Sequence, residues 1–126
     1  MKLLFDTHVV LWAFDNPASL SERLRQALRR RPVIVVSVAS LWEIAIKAAK
    51  GKLKAPGDLP RLLVEAGFQI LPVAAQHAWA IKQAPPSLLT SDPFDRLLWA
   101  QAKVEGLTLA TRDRALLRSG VDVLKA

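Results

Sequence analysis

The sequence predicts one α/β domain over residues 1–126, built around a largely parallel sheet. Short apolar runs rich in β-branched residues alternate with segments whose apolar residues recur at helical spacing. A chain of 126 residues with 52% hydrophobic residues is long enough to bury one core. Because buried strands that alternate with helices form parallel sheets, this pattern favours the α/β class.

The predicted strands are short apolar runs without polar alternation, as is typical of strands buried on both faces. Polar or turn-forming residues bound them. Asp6 follows the first run, Gly106 precedes the fourth, and Gly120 precedes the fifth. The predicted strands cover residues 2–5, 33–36, 69–73, 107–111 and 121–124.

Helices are predicted between these strands from cap residues and apolar spacing. Ser40 and Glu43 have the spacing of a capping box, which predicts a helix start at Ser40. Asp92 followed by Pro93 is typical of an N-cap and a first helical position. The predicted helices cover residues 8–14, 19–30, 40–50, 59–66, 75–83, 93–105 and 113–118.

The net charge indicates the kind of partner that the protein binds, and the cysteine content excludes some kinds of site. Eighteen Lys and Arg against eleven Asp and Glu give a net charge of +7, which favours a polyanionic partner such as nucleic acid. The alternative is that the protein has a basic surface without a polyanionic partner. The chain contains no cysteine, which excludes disulfides and thiolate metal sites, so we expect a cytoplasmic protein. No apolar run approaches the roughly 18 residues of a membrane span.

Four acidic residues lie where the predicted elements begin or end. Asp6 follows the first strand and Asp113 follows the fourth, while Glu43 and Asp95 lie near the starts of two helices. The carboxyl ends of parallel strands share one edge, so we expect the four carboxylates to converge there. Converging carboxylates require a counter-ion, and Mg²⁺ or Mn²⁺ prefers oxygen ligands. Such a site activates water for attack on phosphorus.

Each acid also has a structural interpretation. Asp6 and Asp113 are suited to capping the helices that follow them, and Asp95 to interacting with a helix dipole. Glu43 is suited to a capping box or to an exposed ion pair with Lys47. If these roles are the whole explanation, the chain is a non-catalytic basic module that binds nucleic acid or protein.

Four segments carry a resemblance that covers essentially the whole chain. In order they are Phe5-Asp6-Thr7-His8, Ser37 with Ser40-Leu41-Trp42-Glu43, Ser91-Asp92-Pro93-Phe94-Asp95-Arg96-Leu97-Leu98 with Ala100-Gln101-Ala102, and Thr111-Arg112-Asp113. Together they resemble the PIN domain family, and more narrowly the VapC-type toxins of toxin–antitoxin pairs. The Asp-Pro-Phe-Asp-Arg-Leu-Leu stretch is the most specific part of the match.

The resemblance implies a three-layer α/β/α sandwich and an Mg²⁺- or Mn²⁺-dependent endoribonuclease. The implied catalytic and metal-binding residues are Asp6, Glu43, Asp95 and Asp113, with Thr111 as a polar support. It also implies a homodimer, an RNA substrate, and a cognate antitoxin whose tail lies in a groove and masks the acids. Thr90-Ser91 departs from the His-Arg that many relatives have there, which leaves the role of that loop open.

Two arginines and two histidines have no assigned role at this point. Arg96 and Arg112 adjoin proposed ligands, and are suited either to clamping a phosphate or to holding the carboxylates in place. His8 and His77 lie among apolar residues, which favours structural or partly exposed positions over metal ligation.

Overall fold

The computed structural model describes residues 1–126 and contains one five-stranded sheet. All strand pairs are parallel, in the spatial order β3-β2-β1-β4-β5. The strands are β1 Lys2–Phe5, β2 Val33–Ser37, β3 Gln69–Leu71, β4 Thr108–Thr111 and β5 Val123–Lys125. The predicted parallel sheet is therefore confirmed, although β5 begins two residues later than predicted and β3 ends two residues earlier.

Seven helices connect the strands. They are α1 Thr7–Asp15, α2 Glu22–Arg29, α3 Val38–Ala49, α4 Leu59–Glu65, α5 Ala75–Ala80, α6 Pro93–Glu105 and α7 Arg114–Leu117. Three single 3₁₀ turns, at Pro17–Ser19, Ile81–Gln83 and Pro86–Leu88, supplement them. None of the helices combines the length and the apolar character needed to cross a bilayer.

The helices cover both faces of the sheet, so the α/β/α sandwich is confirmed. Along the central strand β1, Leu3 and Phe5 point into one core and Leu4 into the other. The first core is closed by residues of α1 to α4, and the second by residues of α6 and α7. Alternate side chains of β1 are thus buried on opposite sides, which explains its uninterrupted apolar sequence.

The predicted capping box at Ser40 is wrong. The helix α3 begins at Val38, and its N-cap is Ser37, whose hydroxyl accepts a hydrogen bond from the Ala39 amide at 2.9 Å. Strand β2 runs directly into α3, so one serine ends the strand and caps the helix. Ser40 is fully buried in the first turn instead.

The position of the site follows from the strand order. The chain builds the sheet outward from β1 in both directions, so the order reverses between β1 and β4. The Asp6 amide donates to the Ala110 carbonyl at 3.0 Å, which holds the ends of these two strands together. Open parallel sheets bind ligands at such a reversal, beyond the carboxyl ends of the strands.

Candidate active site

A cleft of about 210 Å³ opens at the carboxyl ends of β1 and β4. Five of its lining side chains are acidic, and they include all four acids that the sequence singled out. The lining residues are Asp6, Glu43, Asp92, Asp95 and Asp113 together with His8, Val9, Trp12, Lys47 and Arg112. The fold thus brings together acids that are more than one hundred residues apart in the chain.

Asp6 forms the buried floor of the cleft and is 5% exposed. One carboxylate oxygen accepts a hydrogen bond from the Thr7 amide at 2.6 Å and caps α1. The other accepts from the Thr111 hydroxyl at 2.7 Å. Burial raises the pKa of Asp6 above its usual value despite these two hydrogen bonds. The carboxylate is therefore both a helix cap and a fixed, partly desolvated charge.

Glu43 projects from the second turn of α3 and is also 5% exposed. Its Oε1 accepts a hydrogen bond from the Thr7 hydroxyl at 2.7 Å, and its Oε2 lies 2.7 Å from the Lys47 ammonium. The predicted pair with Lys47 is thus present. It is not an exposed surface pair, because Glu43 is buried at the wall of the cleft.

Asp92 and Asp113 are exposed acids at the rim, and both cap helices. Asp92 accepts from the Phe94 amide at 2.8 Å, which confirms the predicted N-cap of α6. Asp113 accepts from the Leu116 amide at 3.0 Å and caps α7. Each uses one oxygen for its cap, so the other oxygen has no partner within the protein.

Asp95, on the first turn of α6, differs from the other four acids. Its carboxylate makes no hydrogen bond and no ion pair with the protein. Burial, followed by the negative charges of Asp6, Asp113, Asp92 and Glu43, raises the pKa of Asp95 to about 7. The charge of Asp95 is therefore opposed by every other acid that lines the cleft.

The acidic side chains fit a hard divalent cation by their chemistry. No three Asp, Glu or His side chains are arranged so that they could together hold a metal ion directly. Mg²⁺ does not require such an arrangement, because it keeps several waters and binds proteins through one or two carboxylates. A lining of five carboxylates with no sulfur ligand and a single histidine at its edge favours Mg²⁺ or Mn²⁺ over softer metals.

An aromatic–arginine pair, Trp12 and Arg112, also lines the cleft. The Arg112 guanidinium lies 4.3 Å from the centroid of the Trp12 ring, and it donates to the main-chain oxygens of Ser19 and Ala126. Arg112 therefore holds none of the acidic side chains, and these contacts fix its charge in the lining of the cleft. Arg96 is not among the lining residues, so the structure separates two arginines that the sequence treated alike.

Both histidines occupy positions of the kinds that the sequence favoured. His77 is 1% exposed and structural, whereas His8 is exposed at the edge of the cleft. The sequence predicted no role for the Thr7 hydroxyl, which lies within hydrogen-bond distance of both Ser40 and Glu43. The position of Thr7 next to Asp6 was the only signal in the sequence that it would contact the site.

The sequence model of the PIN domain matches residues 3–121. The chain belongs to the PIN domain family. This PIN domain is 30% identical to Ribonuclease VapC22 of Mycobacterium tuberculosis over 115 residues, which is 90% of the chain and 88% of that protein. The predicted membership of the VapC-type branch is confirmed.

Solved structures share the fold of this PIN domain. DNA-bound VapBC from Salmonella typhimurium superposes with a TM-score of 0.72 and 20% identity, covering 98% of this chain and 97% of that one. FitAcB from Neisseria gonorrhoeae gives a TM-score of 0.67 and 24% identity, covering 98% and 96%. At these identities the likeness establishes the architecture, and the activity has to be argued from the cleft.

Proposed function

We propose that residues 1–126 act as one Mg²⁺- or Mn²⁺-dependent endoribonuclease domain and as the toxin of a toxin–antitoxin pair. The observation that carries the proposal is the gathering of Asp6, Glu43, Asp95 and Asp113 from four different elements around one cleft. Burial, followed by the charges of the surrounding carboxylates, raises the pKa of Asp95 in particular to about 7. Perturbed acids that converge in a cleft are typical of active sites. The similarity to a ribonuclease supports RNA as the substrate.

The four acids would hold the metal, which when bound supplies water activation and charge stabilisation at the phosphorus atom. The protein's own part is to position these acids before substrate arrives. Thr111 fixes one oxygen of Asp6, and Thr7 fixes one oxygen of Glu43. Arg112, held on Trp12, places a positive charge in the lining of the same cleft, where it favours a phosphate of the RNA backbone. The net charge of +7 attracts the same polyanion from a distance.

A second surface has the character of a binding site for a protein partner. An exposed apolar groove of about 700 Å³ runs between α3 and α4, and its lining includes Val38 and Trp42. Trp42 is 59% exposed although its ring packs edge-on against Phe94. We propose that a cognate antitoxin covers this groove, and that the toxin acts in the cytoplasm as a homodimer. Changing Val38→Asp should abolish antitoxin binding without changing RNA cleavage.

The decisive experiment is Mn²⁺ binding by calorimetry, followed by cleavage of a mixed cellular RNA preparation. The wild type should bind Mn²⁺, and Asp6→Asn and Asp95→Asn should lose binding while their circular dichroism spectra stay native. Equal binding in all three proteins, or none in any, would contradict a metal-dependent nuclease. The acids would then serve as helix caps and ion-pair partners of a non-catalytic binding module.

A further inference from the structure

Lys47 places a cation inside the acidic cleft. It lies on α3 one turn beyond Glu43, and its ammonium is 2.7 Å from Glu43 Oε2. A lysine ammonium beside a carboxylate is charged at neutral pH. Lys47 is the one lysine that lines the cleft.

The contacts of Glu43 show what this ammonium does there. The Glu43 carboxylate is almost completely buried, with 7% of its side chain exposed. Thr7 occupies Oε1 and Lys47 occupies Oε2, so both oxygens already have a partner. A divalent cation that approached Oε2 would meet the ammonium at the same oxygen. The metal ion and the ammonium, both positively charged and both at one carboxylate oxygen, repel each other in this partly desolvated site.

We propose that Lys47 is an internal counter-ion that competes with the metal for Glu43, so that metal binding displaces the Lys47 ammonium from this carboxylate. The inference rests on the proposed metal-dependent function. With no metal bound, Lys47 neutralises one of five acids and stabilises the fold. When the metal binds, this ion pair has to be given up. Lys47 therefore raises the metal concentration at which the site fills, and in this way it regulates activity.

Arg112 provides a matched control for plain electrostatics. It lines the same cleft and carries the same charge, but it contacts the Trp12 ring and main-chain oxygens rather than an acidic side chain. Removing Arg112 changes the local charge without freeing an acid. Removing Lys47 changes the charge and also frees Glu43.

The test is Mn²⁺ calorimetry at pH 7 on the wild type, Lys47→Met, Arg112→Met, Glu43→Gln and the Lys47→Met/Glu43→Gln double variant. Methionine keeps most of the aliphatic stem and removes the charge. Lys47→Met should tighten Mn²⁺ binding by about tenfold, within the 5–150-fold range typical of coupled sites. Glu43→Gln itself should bind Mn²⁺ more weakly, because Glu43 is one of the four proposed ligands, so its affinity is measured by titration to millimolar Mn²⁺. In this background Lys47→Met should alter the affinity by less than about threefold. Lys47→Arg should bind Mn²⁺ much as the wild type does.

A second measurement observes the displacement in the wild-type protein and needs no variant. The ammonium resonance of Lys47, held against a buried carboxylate, should be visible by ¹H–¹⁵N NMR without metal and should broaden or shift on addition of Mg²⁺. An unchanged resonance at saturating Mg²⁺ would overturn the proposal.

Three calorimetric outcomes would also overturn it. They are unchanged or weaker binding in Lys47→Met, an equal gain in Arg112→Met, and a gain that persists in the Glu43→Gln background. Each of these is distinguishable from failure of the proposed function. If the metal-dependent function itself is wrong, the wild type either does not bind Mn²⁺ or binds it no better than Asp6→Asn and Asp95→Asn do.

Discussion

Two clusters of polar side chains lie at opposite ends of α6, and they are organised in opposite ways. At the end of the helix, the buried His77 accepts a hydrogen bond from the Ala74 amide at 2.9 Å and lies 2.8 Å from Glu105. Gln101, fully buried beside it, donates to the Pro72 carbonyl at 3.3 Å. At the start of the helix, Asp95 faces four other acids and has no partner.

The difference separates a structural cluster from a functional one. Around His77, hydrogen-bond donors lie next to acceptors. Gln101 Oε1 is the only buried polar side-chain atom of this cluster without a hydrogen-bond partner. Satisfied polar groups of this kind stabilise a fold and bind nothing further. Around Asp95, burial and the neighbouring negative charges raise the pKa of its carboxyl, so its charged form is unfavourable until a divalent cation binds. Substitutions in the two clusters should therefore have opposite consequences for activity and for stability.

The largest expected effect is that of Asp95→Asn on RNA cleavage. Loss of an outer partner of a metal ligand lowers activity roughly 10–100-fold, and loss of the ligand itself should exceed 100-fold. The metal-free variant should at the same time be more stable than the wild type, because the substitution removes a charge that four carboxylates oppose. Cleavage rates and urea unfolding without metal measure the two effects.

Asp122→Asn is the control for this prediction, since Asp122 is an exposed acid outside the cleft. It should change neither rate nor stability appreciably. A stability loss in Asp95→Asn would show that Asp95 is a structural residue, and the contrast between the two clusters would fail.

His77→Ala should have the reverse effect. The substitution removes a fully enclosed ring and leaves the Ala74 amide and the Glu105 carboxylate without their partner, which should cost about 3 kcal/mol of unfolding free energy. Cleavage by the folded fraction at low temperature should be unchanged. The exposed His8 is the matched control, and His8→Ala should stay within about 0.5 kcal/mol of the wild type in urea unfolding. A large loss of activity in folded His77→Ala would contradict the structural assignment.

The sequence predicted the elements better than the contacts between them. The run Lys2–Phe5 followed by Asp6 was sufficient to predict a buried strand that ends in an acid, and parallel topology then placed the acids at one edge. The helix start at Ser40 was mispredicted because local spacing does not show that β2 continues directly into α3.

The partners of the acids depended on tertiary geometry. The contact of Thr7 with Glu43 joins α1 and α3 across 36 positions, and no local pattern encodes how these helices cross. The burial of Glu43 was invisible for the same reason, so its pair with Lys47 was expected at the surface. The sequence also could not predict that Asp95 has no hydrogen-bond or ion-pair partner, because a motif does not show which contacts are absent in the folded protein.

An effect of intermediate size is expected on the pH dependence of the unfolding free energy. Folding raises the pKa of Asp95 from 3.8 to about 7, so between these values the folded state binds more protons than the unfolded state. Stability of the metal-free protein should therefore fall as the pH rises from 4 to 7, and the raised pKa of Asp6 acts in the same direction. We expect a decline of about 2 kcal/mol, reduced by solvent in the open cleft.

Urea midpoints measured across this range should decline in the wild type and decline less in Asp95→Asn, where only the raised pKa of Asp6 remains. Saturating Mg²⁺ should abolish the decline, because the metal stabilises the charged carboxylates. A midpoint that rises with pH in the wild type would mean that Asp95 is stabilised as an anion by the protein itself.

The smallest effect is expected from Thr111→Val, which removes one hydroxyl at nearly constant volume. That hydroxyl donates to Asp6 at 2.7 Å and accepts from the Asp113 amide at 3.0 Å, so it joins two of the proposed ligands. Its loss should weaken Mn²⁺ binding about tenfold, as is typical of outer-shell partners. The unfolding free energy should fall by about 1–2 kcal/mol.

Thr111→Ser keeps the hydroxyl and should restore Mn²⁺ affinity to within about threefold of the wild type. Rescue of affinity by serine would separate orientation of Asp6 from simple packing, since serine lacks the methyl group but retains the donor. If valine and serine weakened Mn²⁺ binding equally, Thr111 would act through its methyl contacts. The acidic cleft would then depend on packing in the same way as the enclosed His77 cluster.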